Sequence, residues 1–222
     1  MTSFSAIRAR AEERKGGPAT LARLLPPPPS MAALTALGDD RILAEMTRRV
    51  FSAGFVWSVI DAKWPGFEAA FWGFDPNRCA MMSDEDLDAL LQDTRIVRNG
   101  QKVSTVAPNA RFLLDLAREH GSPGRFFADW PDEDYAGLLE VLKARASRLG
   151  GESAMRFLRT MGKPSFITSR DVTAALIREG VLDKPPTGKR DLQKIQGAFN
   201  TWVGESGRDL TSISRTLALS IG

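Results

Sequence analysis

From residue 31 onward, apolar side chains recur at the three- and four-residue spacing of helices that bury one face. The spacing predicts a helix over "DDRILAEMTRRVFSAGFVWSVIDA" (39–62), opened by Asp39 and Asp40. A short helix follows Pro65, and a capped one spans "SDEDLDALLQD", with Ser83 as its cap and acids in its first turn. "NGQKVSTVAPNARFLLDLAREHGS" reads as a longer helix that Pro108 kinks or splits. "PDEDYAGLLEVLKARASRLG" starts at Pro131 and ends in glycine. Further helices are expected over 152–161, 171–179, 189–203 and 209–220. Alternating strand patterns are missing, so the expected fold is all-α with about ten helices. "PPPP" at 26–29 is a stiff connector. It sets off an N-terminal helical appendage, residues 1–30, from a main domain over 31–222.

Composition narrows the setting. A chain of 222 residues with 43% hydrophobic and 26% charged content fits a soluble globular protein. No apolar run approaches the roughly 18 residues of a membrane helix, and the N-terminus lacks the apolar core of a signal peptide. A cytoplasmic, nucleoid-associated protein is expected, without a membrane partner. With one cysteine, Cys79, and one histidine, His120, neither an internal disulfide nor a Cys/His zinc site can be assembled. Cys79 reads as a small buried hydrophobe, and His120 as a residue near a helix C-terminus.

Charge is unevenly spread. Residues 1–94 carry 10 Lys/Arg against 13 Asp/Glu, whereas 95–222 carry 20 against 14. Eight cations fall within 143–178, opposed only by Glu152 and Asp171. Clustered cations suit a polyanion, although a solvated helical face has the same composition.

That basic span contains "RLGG" between two helical patterns. Gly150 and Gly151 allow positive φ and put no Cβ between the main chain and an approaching group. The N–H groups that open the next helix then favour an anion. Such a hairpin can hold a DNA phosphate without reading sequence, with Ser153, Arg148, Lys163 and Arg170 adding donors. A glycine turn joining two packed helices has the same sequence. Asp171 opens the following helix. It suits a first-turn or capping position, and equally a carboxylate that stabilises positive charge on a deoxyribose as an N-glycosidic bond breaks.

Residues 49–74 hold eight of the chain's eighteen aromatics. Most should be core. An unstacked base needs aromatic walls, and Trp57, after the small residues "SAG", is the first choice, with Phe51 and Phe55 beside it.

Here a resemblance enters. "FSAGFVWSVIDAKWPGFEAAFWGFDP" (51–76) resembles the DNA-3-methyladenine glycosylase I family, in which an "AG–W" element is followed by "F–FDP". "DTRIVRNGQKVSTVAPNARFL" (93–113) is similar to that family's "I-R-N-x-x-K-I … NA" pair, with Arg98, Asn99, Lys102, Asn109 and Ala110 in place. "RLGGESAMRFLRTMGK" resembles its helix–hairpin–helix element, and the wider helix–hairpin–helix glycosylases place a catalytic Asp after such a hairpin. The resemblance implies a monomeric, cofactor-free, monofunctional glycosylase of base excision repair. Its substrate would be duplex DNA holding a 3-methyladenine-like alkylated purine, with Asp171 catalytic and Arg98, Asn99 and Lys102 along the DNA. Departures stand out, the first being that the family's tyrosine-containing N-terminal strip is replaced by "PPPPSMAALTALG". The family's Cys/His zinc clasp has no residues here, so no metal is expected. The family's glutamate shortly before "AG–W" is absent from "RRVFS". Glu152 stands where bifunctional relatives carry a nucleophilic lysine, so no lyase step is expected. The alternative is a helix–hairpin–helix DNA-binding protein that has lost catalysis.

Overall fold

The helices end where particular side chains or glycines stop them. In the computed structural model, which describes residues 1–221, fifteen α-helices and two 3-10 turns form all the regular structure among the described residues. Helix α1 (Phe4–Lys15) and α2 (Pro18–Leu24) are parted by Gly16 and Gly17, both at positive φ, and α3 (Met31–Thr35) follows the proline run. In place of the single helix expected over 39–62 there are two, α4 (Asp39–Ser52) and α5 (Trp57–Ala70). Ala53 is extended and Gly54 left-handed (φ 74°), which halts α4 and re-aims the chain. The expected helix start at Pro65 is corrected too: α5 runs through that proline, with Ile60 and Phe67 buried on either side of it.

Next come α6 (Pro76–Ala80) and α7 (Asp84–Gln92). Helix α7 begins with a reciprocal cap: Ser83 Oγ accepts the Asp86 N–H, and the Asp86 carboxylate accepts the Ser83 N–H. The split expected at Pro108 occurs earlier, at Ser104–Thr105, between α8 (Gly100–Val103) and α9 (Val106–His120). Pro108 is then the third residue of α9, where no intrahelical N–H partner is needed. The chain continues through α10 (Pro123–Asp129), α11 (Tyr135–Arg145), α12 (Glu152–Thr160), α13 (Arg170–Arg178), α14 (Lys189–Ser206) and α15 (Leu210–Leu219). Ten of the fifteen are nine residues or longer, and the short ones are what the periodicity did not resolve.

The chain divides into two compact units, and the dividing line crosses α11 between Leu138 and Leu139. The first unit comprises residues 1–30, 130–138 and the chain from Pro164 onward. The N-terminal segment expected as an appendage is therefore part of the unit that contains the C-terminal helices. There α1 packs on α14 and α15, and α13 on α15. The core holds Ile7, Tyr135, Phe166, Phe199, Trp202 and Ile213, all fully buried. Tyr135 meets Phe166 edge-on at 4.8 Å, and Phe199 meets Trp202 at 5.5 Å.

The second unit comprises 31–129 and 139–163. Within it α4 is central, packing on α5, α9, α10 and α12. Phe51, Phe67, Phe71 and Phe74 form its buried aromatic cluster, with Phe51 edge-on to Phe67 at 4.7 Å. Trp72, Gly73 and Phe74 run at φ 51°, 66° and 62°, a left-handed turn that tucks Phe74 into this cluster. No helix among the described residues is long and apolar enough to cross a membrane.

Candidate nucleic-acid interface

The hairpin between α11 and α12 is fixed from below. Asn109, fully buried on α9, accepts the Ser147 N–H at 2.7 Å and donates to the Ser147 carbonyl at 3.2 Å. Leu149 is buried, and Arg148 takes a left-handed conformation (φ 58°), so the chain turns sharply before the glycines. Arg148 is exposed and donates to Gln101 Oε1 at 2.7 Å. The tip itself, Gly151 and Glu152, faces solvent. Only Gly151 needs to be glycine, at φ 56° and ψ −136°. A Cβ on Gly150 would make an ordinary 3.7 Å contact with Lys143. Gly151 caps α12 without a side chain, so the N–H groups that start this helix face outward uncapped.

A second exposed feature lies on the same unit. Residues 53–59, the end of the α4–α5 turn and the start of α5, are all exposed. Val56 is 67% exposed and Trp57 48%. Lys102 secures this turn. Its Nζ donates to the Phe51 and Ala53 carbonyls at 3.0 and 2.6 Å and lies 4.4 Å from the Phe55 ring centre. Burial, and then the charge of Arg148, push this amine below the usual lysine pKa.

Hairpin and turn meet in one cleft of about 270 Å³ lined by Arg49, Ser52, Ala53, Gly54, Trp57, Glu152, Ser153 and Arg156. Two guanidinium groups lie near the Trp57 ring, with Arg49 Cζ 5.0 Å and Arg156 Cζ 5.7 Å from its centre. Arg156 Nε donates to Glu152 at 2.9 Å. Arg49 is anchored by Glu45 at 2.5 Å and by Thr160 Oγ1 at 2.9 Å. Burial raises the Glu45 carboxyl above the ordinary value, with the Arg49 charge acting against it.

The structure brings Ser153 and Trp57 into one cleft and takes Phe51, Lys102 and Lys163 out of it. Phe51 is a core ring, not a pocket wall. Lys163, expected to meet phosphate, is 1% exposed, and its amine reaches the Ala128 carbonyl. Lys102 is a buried clamp, and Asn99 caps α8 by accepting the Lys102 N–H at 3.2 Å. Arg98 is exposed. Arg170 and Asp171 are exposed at the start of α13, which belongs to the first unit. Ser169 supplies the cap of that helix, accepting the Val172 N–H, so the Asp171 carboxylate is not spent on capping. Arg49 and Arg156 are not among the site residues expected from the sequence. Arg49 lies within "RRVFS", the stretch that lacks the expected acid.

A family profile described as methyladenine glycosylase matches residues 34–140. Over those residues, a little under half of the chain, this protein is similar to that family. DNA-3-methyladenine glycosylase 1 of Escherichia coli K12 is 35% identical over 71 residues, 32% of this chain and 37% of the relative. The Haemophilus influenzae DNA-3-methyladenine glycosylase is 30% identical over 66 residues, 30% of this chain and 36% of its own length. The chain therefore matches little more than a third of either curated relative. Among solved structures, 3-methyladenine DNA glycosylase I from Staphylococcus aureus superposes with a TM-score of 0.51 at 22% identity, covering 56% of this chain and 76% of that one. A structure of 3-methyladenine DNA glycosylase I in complex with 3-methyladenine gives the same score and identity over 56% and 77%. The glycosylase fold is thereby shown for the shared part.

The methyladenine glycosylase match contains α4, α5 and the Trp57 turn and ends before the hairpin. The roles of Gly151, Ser153 and Asp171 rest on their own chemistry. A Cys/His zinc clasp does not fit this chain. It has one cysteine and one histidine, and the described residues include no group of three or more His, Cys, Asp or Glu able to hold a metal.

Proposed function

We propose that the protein is a monofunctional DNA glycosylase that removes an alkylated purine from duplex DNA during base excision repair. It would act as a monomer in the cytoplasm, on the nucleoid. The observation that carries this reading is the shared cleft: an uncapped helix start behind a glycine hairpin and an exposed tryptophan lie side by side. The hairpin N–H groups, Ser153 and the exposed Arg148 hold backbone phosphate, with Arg98 extending the basic path. Phe55 and Val56, exposed on the turn, enter the gap left by the everted nucleotide, and Trp57 stacks on the base.

In the chemical step the C1′–N9 bond breaks and its electron pair leaves with the purine, which becomes neutral if it was a cation and takes a proton from solvent water if it was neutral. Positive charge develops on the deoxyribose, and the Asp171 carboxylate stabilises it. Water adds to C1′ and loses its proton to that carboxylate. Glu152 offers no amine for a Schiff base, so the product is an intact abasic site.

Single-turnover base release from duplexes carrying a panel of alkylated purines tests this. Asp171→Asn should lower the rate by about a hundredfold or more while leaving duplex affinity unchanged. Full activity in that variant removes Asp171 from catalysis. The absence of an acid from "RRVFS", the stretch that holds Arg49, favours a second reading: a DNA-binding protein without catalysis. It would show salt-dependent duplex binding and no base release from any lesion.

A further inference from the structure

We infer that Arg49 sets the class of lesion, so that the cleft beside Trp57 takes a neutral alkylated purine rather than a methylpurine cation. This rests on the glycosylase reading above. A purine methylated at N3 or N7 carries positive charge while still joined to the sugar. A pocket for it should offer an acid or a bare aromatic face. This cleft offers no unpaired acid, and its indole already holds two guanidinium groups, 5.0 and 5.7 Å from the ring centre. Its charged lining is two guanidinium groups against one carboxylate, Glu152, and that carboxylate is already paired with Arg156. Glu45, the counter-charge of Arg49, does not line the cleft.

Nor can Arg49 readily withdraw. Its side chain is 12% exposed and is held by Glu45 on one nitrogen and by Thr160 on another. The guanidinium is fixed 5.0 Å from the indole centre, where an inserted base must lie against it. A cationic base entering this space meets a like charge with little water between them. A neutral purine adduct that presents only acceptors along its edge, such as 1,N6-ethenoadenine, meets planar donors and a π surface instead.

The test compares base release from duplexes carrying 1,N6-ethenoadenine or 3-methyladenine. The wild type is expected to release the etheno base at least tenfold faster relative to each lesion's spontaneous rate. Arg49→Gln, made together with Glu45→Gln so that no lone carboxylate stays buried, should lower that preference at least tenfold. Arg49→Lys, which keeps the charge, should retain it. Faster release of 3-methyladenine by the wild type overturns the inference, as does a preference unchanged within twofold in the double variant. If no base is released from either duplex, the glycosylase reading fails and the cleft is read by binding alone. Quenching of Trp57, identified by a Trp57→Phe control, is then titrated with duplexes holding 1,N6-ethenoadenine or the stable cation 1-methyladenine. Tenfold tighter binding of the etheno duplex sustains the inference, and anything less ends it.

Discussion

At the scale of single residues, the two hairpin glycines divide sharply. Gly151 sits at φ 56° and ψ −136°, which a side chain resists, whereas Gly150 has room for a methyl group against Lys143. Gly151→Ala should cost about 1–3 kcal/mol in urea unfolding, and Gly150→Ala should stay within about 0.5 kcal/mol of wild type. The sequence showed a pair of equivalent glycines, because a letter carries no dihedral angle. The same limit applies to the aromatics. Phe51 and Trp57 are six residues apart in one dense cluster, yet one is fully buried and the other half exposed. What separates them is the break at Gly54, which turns the chain between them. Lys102 and Lys163 were legible as cations but not as buried ones. The carbonyls that receive Lys102 lie 49 and 51 positions away. Cys79 reads correctly from composition. Burial first, and then nearby Asp75, push its thiol up to about 12, so it remains protonated and inert.

At the scale of elements, the hairpin and the Trp57 turn are each clamped by one buried polar side chain from the α8–α9 region. Asn109 exchanges two hydrogen bonds with Ser147, and Lys102 donates two to the end of α4. Asn109→Ala leaves both Ser147 groups without these partners and should destabilise the fold by about 1–3 kcal/mol. Duplex affinity should fall as well, in conditions where the variant is still folded by circular dichroism. Unchanged affinity would show that the hairpin holds its shape unaided. Periodicity captured the longer helices because their apolar stripes are continuous. It joined α4 to α5 because the stripe continues across the break. It overlooked α3, α6 and α10, which have seven residues or fewer and show too little of a period to be counted. The motif "N-x-x-K" through "NA" pointed to these clamps as family letters, and only the partners across the fold gave them their work.

At the scale of the molecule, Glu179 ties the first unit together. Its carboxylate is almost wholly buried and paired with Arg10 and Arg178, which come from opposite ends of the chain's numbering. Burial works to raise its pKa, but hydrogen bonds from Thr2, Arg178 and Arg10 prevail and hold it below the ordinary value. A depressed carboxylate adds stability above the unfolded-state pKa of about 4.3, and that share is lost as acid protonates the folded group. The melting temperature of wild type should therefore exceed that of Glu179→Gln at pH 7, and the gap should narrow below about pH 4. A gap that stays constant with pH would mean that the ion pairs contribute nothing.

The make-up of that unit also has a consequence in time. Its earliest-numbered helix lies against its last two, with the Phe4 N–H bound to Glu205 and the Trp202 ring nitrogen to the Thr2 carbonyl, Glu205 and Trp202 both being on α14. A ribosome delivers one partner long before the other. Every residue of the second unit has been made by Lys163, so it can close while translation is still running. Meanwhile α1 waits with its apolar side uncovered, a window in which a chaperone or a neighbouring nascent chain can reach it first.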